Sequence, residues 1–221
     1  MAHWPGGLPT LRTQLNTGAA THGEDCGPLA CINATECASD GKVGPRYQKD
    51  VADTGDDVRG WVRLMRAWAN NATKPFMFPT DFMDALTDPD LARIFNQMGL
   101  PRLRPQAYSG GTWDTMKKWL RLDYPVILAV DYGVLNAGKA PTGDPAFDEG
   151  HVIVLAGSDV RKRLVYVNDG DSLFDGRRAG IPKGWTETRL RYLKAAAARF
   201  GSSPPGTDKA DFIVVRGGSH G

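Results

Sequence analysis

Cysteine and histidine are scarce in this chain: its 221 residues hold three cysteines and four histidines. A small, odd cysteine count excludes a disulfide framework as the organising device of the fold. No run approaches the ~18 apolar residues that a membrane-spanning helix needs. The first residues, MAHWPGGLPT, lack the basic start and apolar stretch of a secretory signal, so the expected product is cytoplasmic as made. An excess of one charge sign is missing as well. The formal net charge is +2 and the 27 basic residues are scattered, which leaves no electrostatic footprint for nucleic acid. Asn33-Ala-Thr35 and Asn71-Ala-Thr73 fit the glycosylation pattern, but without a signal sequence the match says little.

What is present suits one medium domain with a real core, since 41% of the residues are hydrophobic. Residues 1–22, rich in Gly, Pro and Thr, read as an extended arm, and 23–221 as a single domain. From Gly27 the run PLACINATECA reads as a helix, with Pro28 in the first turn, where its missing N–H costs nothing. DVRGWVRLMRAWAN spaces its apolar residues at a helical period, and TDFMDALTDPDLARIFNQMG reads as one or two short helices. PRLRPQAYSGG reads as a loop, TWDTMKKWLRLD as a helix, and YPVILAVDY as a buried strand. HVIVLAG and RLVYVND are further strands, TETRLRYLKAAAARF a last helix and DFIVVRG a last strand. Helices dominate 23–122 and strands 123–216, with no internal repeat. That is an α+β pattern, with the helical N-terminal part packed on an antiparallel β-sheet.

Cys26 stands between an acid and Gly27-Pro28, at the start of a helix. A cysteine on a helix is commonly a small buried hydrophobe. At a helix N-terminus the dipole and the free N–H groups also stabilise a thiolate, which suits a nucleophile. Gly27 would let a substrate backbone approach. A metal site among His22, Cys26, Cys31 and Cys37 is disfavoured by geometry. Cys31 falls about 140° round the helix from Cys26, Cys37 lies roughly 16 Å along it, and no spacing is that of a zinc knuckle.

A thiolate nucleophile needs a base. His3 and His220 lie in the terminal arms, and His22 in a Gly-flanked loop. His151, which opens HVIVLAG, is the strongest candidate. If HVIVLAG and RLVYVND pair about a turn centred near Val160, His151 faces Asp169. Directly opposed side chains share a face with Cβ atoms about 5 Å apart, so a carboxylate there would orient the imidazole. Asn168 then falls on the other face unless a bulge shifts the register. The same residues also suit a surface hairpin whose His and Asp merely pair.

Asp25-Cys26-Gly27-Pro28, WLRLDYPVILAV at 119–130, Gly150-His151-Val152-Ile153-Val154 and Val167-Asn168-Asp169 occur in an order that resembles the papain-like cysteine peptidases. More narrowly, it resembles the bacteriocin (double-glycine) leader peptidase branch and its bacterial and phage relatives. The resemblance implies a papain-like fold in which Cys26 is the nucleophile, His151 the base and Asp169 the orienting residue, with Asn168 second. It departs at one point. The Gln that such enzymes place about six residues before the cysteine is here Ala20, so the oxyanion donor falls to Gln14, His22, Thr21 or backbone N–H groups.

The expected reaction is acyl transfer through a thioester, giving hydrolysis of a peptide or isopeptide bond with no cofactor and no metal. Leader peptidases of this type work joined to a membrane exporter, and no transporter segment is present. An Ala-, Arg- and Gly-rich composition suits a high-GC genome, such as that of actinobacteria or their phages. The expected substrate is therefore a peptidoglycan stem peptide or cross-link, in phage lysis or at the virion. The alternative is a catalytically silent papain-fold structural or binding module of a phage particle, which Ala20 favours.

Overall fold

The computed structural model describes residues 26–38, 104–131, 150–159, 164–169, 186–197 and 207–216. Expected helices between 57 and 99, the N-terminal arm, and Gln14 and His22 lie outside the described residues. Among the described residues nine elements follow in chain order: α1 (Cys26–Ala38), β1 (Arg104–Thr112), α2 (Trp113–Arg121), β2 (Val126–Asp131), β3 (Gly150–Asp159), β4 (Leu164–Asp169), β5 (Thr186–Arg189), α3 (Leu190–Ala197) and β6 (Lys209–Arg216). The strands form one antiparallel sheet in the order β1-β6-β2-β3-β4-β5. The described residues thus have the expected α+β character.

β2 sits near the centre of the sheet, which explains its unbroken apolar run: Val126 to Val130 are all buried, on both faces. Their alternation separates the two faces. Val126, Leu128 and Val130 join Ile153, Leu155, Val165, Val167, Phe212 and Val214 in a core with Trp113, Met116 and Leu120 of α2 and Leu193, Ala196 and Ala197 of α3. α1 covers the other face, packing chiefly against β3.

α2 begins where Thr112 leaves the strand in an extended conformation and its hydroxyl accepts from the Thr115 N–H at 3.2 Å. Asp114 in the first turn and Lys118 and Arg121 in the last both oppose the helix dipole favourably. A hydrogen bond from Lys117, reinforced by its charge, holds the Asp114 carboxyl below the usual range. The helix stops at Asp123, whose φ of 59° is left-handed, a conformation that Asp tolerates better than most residues.

Two sequence expectations are corrected here. PRLRPQAYSGG, read as a loop, supplies the edge strand β1. Proline and glycine are tolerated at an edge because one side of the strand needs no ladder partners. A bulge between Tyr108 and Gly111 absorbs the glycine pair, and Asp211 Oδ1 accepts from the Gly110 N–H at 2.7 Å. TETR, read as the first turn of the last helix, is instead β5, because its backbone pairs with β4 from Val167↔Thr186 to Leu164↔Arg189. Tertiary pairing overrides local propensity there.

Candidate active site

Cys26 is the first residue of α1, as the Gly27-Pro28 signature implied. Every described side chain of this helix is buried, from Cys26 and Leu29 to Cys37 and Ala38. Cys26 itself is only 3% exposed. All three cysteines are free thiols. Burial pushes the Cys31 thiol well above its ordinary range, which makes it inert. Two polar side chains are carried inside with partners: Thr35 Oγ1 donates to the Cys31 carbonyl at 2.8 Å, and Asn33 Nδ2 donates to Asn168 Oδ1 at 2.7 Å.

His151 is the second residue of β3 and is buried. It stands opposite Val130 in the β2 ladder, so it takes the face shared with α2 and α3. β3 and β4 pair as expected, but their register differs from the expected one by two residues. Asp169 stands opposite Ile153 rather than His151, and Asn168 opposite Val154. The ladder also shifts at a bulge between Ala156 and Ser158, where Gly157 takes a φ of 61°. The pairing nearest the turn, Asp159↔Leu164, is already three residues from the expected register, and the bulge takes back one of them.

The parity of the expectation survives the shift. His151 and Asp169 occupy positions of one face on neighbouring strands, as diagonal rather than direct neighbours, a separation of about 7–8 Å. Asn168 falls on the opposite face and is committed to Asn33 of α1. The structure therefore brings His151 and Asp169 to one end of the sheet and takes Asn168 away from the imidazole. Cys26 begins the helix on the Asn168 face, two turns, or roughly 10 Å, before Asn33.

Two residues at this end of the sheet were not singled out from the sequence. Asn33 appeared only as a glycosylation match, yet its side chain is buried and hydrogen-bonded, as is that of Thr35. Asp131 is half-buried at the end of β2, next to the partner of His151, and pairs with Gly150. Its signal was an acid closing an apolar strand, VILAVD.

The fold and site define an α+β chain with a buried cysteine at a helix start and a buried histidine at a strand start. Comparison with protein-family models, with curated proteins and with solved structures gives no match to this chain. Among the described residues no helix is long and apolar enough to cross a membrane.

Proposed function

We propose that the chain is a cysteine peptidase of papain-like architecture, with Cys26 as nucleophile, His151 as base and Asp169 as orienting residue. One observation carries the reading: the helix that begins at Cys26 packs chiefly on β3, the strand whose second residue is buried His151 and which lies beside the strand ending in Asp169. In this reaction the Cys26 thiolate attacks a peptide carbonyl and the amine leaves with a proton from His151. Water, deprotonated by His151, then releases the acid from the thioester. Asp131 is a second carboxylate at the same end of the sheet.

The reading has a geometric requirement. α1 and the His151 position lie on different faces, so thiol and imidazole must meet past the end of the sheet, where β3 begins. The proposed substrate is a wall stem peptide or cross-link in a phage lysis context. The test is release of new amino termini from purified actinobacterial peptidoglycan, and from protein substrates, by wild type and Cys26→Ala. Cutting by wild type alone supports the peptidase. A cut protein with intact wall corrects only the substrate.

A second reading is favoured by the burial of Cys26: a silent papain-fold module that serves in binding or assembly. Absence of cleavage, together with slow alkylation of Cys26 by iodoacetamide at neutral pH, would select it.

A further inference from the structure

The far edge of the sheet carries an arrangement that neither reading uses. In the β1–β6 ladder Arg104 stands directly opposite Arg216. Like charges at directly opposed positions destabilise a strand pair. Among the described residues neither arginine has a carboxylate partner. Arg104 is exposed and Arg216 half-buried.

The guanidinium of Arg216 lies over the Trp119 ring, 5.5 Å from its centroid. Such stacking occupies the face of a guanidinium and leaves its edge N–H groups for acceptors. Arg216 Nε is buried without a hydrogen-bond partner, and among the described residues the Trp119 ring is the contact that holds the group. The ring itself is fixed. Trp119 Nε1 donates to Tyr108 Oη at 2.9 Å, Tyr108 stacks on Phe212 with centroids 4.7 Å apart, and Tyr124 meets Trp119 edge-on at 5.7 Å. By register Arg104, Tyr108 and Arg216 take one face, beside α2.

We infer that this edge binds an oxyanion group, a carboxylate or a phosphate, between Arg104 and Arg216, with Trp119 as its wall. The anion removes the repulsion of the opposed guanidinium groups. It accepts from their terminal nitrogens, since Arg216 Nε is enclosed. Planar arginine forks match such oxygens better than lysine would. The aromatic platform orients Arg216 before the ligand arrives, which lowers the ordering cost of binding.

The test is calorimetric titration of the full chain at low salt with inorganic phosphate and, separately, with N-acetylglutamate. Saturable binding of at least one probe is expected. It should weaken about tenfold or more in Arg104→Gln and in Arg216→Gln, the size of one charge-assisted hydrogen bond. Arg104 is exposed, so its variant reports even if Arg216→Gln does not fold. Arg121→Gln, on the same helix but about 200° round from Trp119, should bind like wild type. Which probe binds distinguishes a phosphate from a carboxylate ligand. If neither saturates, or if Arg121→Gln weakens binding as much as Arg104→Gln, the proposal is overturned.

Discussion

Asn33 Nδ2 donates to Asn168 Oδ1 at 2.7 Å across 135 residues of sequence, tying buried α1 to the end of β4. Both amides are fully enclosed, so removal of one deletes a hydrogen bond between buried groups, a loss of about 1–3 kcal/mol. Asn33→Ala and Asn168→Ala should each destabilise by that order in urea unfolding. The double variant should lose clearly less than their sum, because the shared bond is lost only once. Additive losses would mean that the two amides are not coupled.

Activity should separate the two neighbours at the end of β4. Asp169→Ala and His151→Ala should lower kcat/KM on any substrate found by roughly 10³-fold or more, as for other members of a triad. Asn168→Ala should act mainly through stability and keep most activity at a temperature where it remains folded. The reverse order, with Asn168→Ala inactive but stable, would remove Asp169 from the proposed site.

The three thiols should be chemically unequal. Cys31 ionises only well above its ordinary value of 9.0 because of burial. In the native state it should resist iodoacetamide at neutral pH and react after denaturation. The sign for stability follows from linkage. The native thiol keeps its proton where the unfolded one has lost it, so stability is full below about 9 and falls as pH rises beyond it. Cys31→Ala should flatten that alkaline limb, at a cavity cost measurable at pH 7. An unchanged alkaline limb would exclude Cys31 as its source.

Gly111 lies at the β1 bulge, where an added Cβ would come within 2.5 Å of Phe212 Cε1 and 2.8 Å of Tyr108 Cβ. Gly111→Ala must push the Tyr108–Phe212 stack apart, and overpacking of this kind costs about 1–3 kcal/mol. Thermal unfolding should show the loss. A neutral Gly111→Ala would mean that the stack shifts freely, against the rigid platform described for Trp119.

Local chemistry made several elements legible from sequence. Gly27-Pro28 marks the start of α1, the unbroken VILAV run declares a strand buried on both faces, and HVIVLAG and RLVYVND declare a strand pair. These signals are local because helix starts and apolar alternation depend on a residue and its near neighbours. Only the tertiary structure decided the rest. β1 and β5 are strands because β6 and β4 offer ladders to them, and neither segment carries that fact in its own propensity. Asp169 stands opposite Ile153 because the strands already meet three residues off the expected register at Asp159↔Leu164, and the bulge between Ala156 and Ser158 takes back only one. In the sequence Asn33 had no role beyond a glycosylation match, and only the packing of α1 against β4 buries it against Asn168. Burial, register and the opposition of Arg104 to Arg216 are properties of pairs far apart in the chain, and they exist only once the sheet has closed around them.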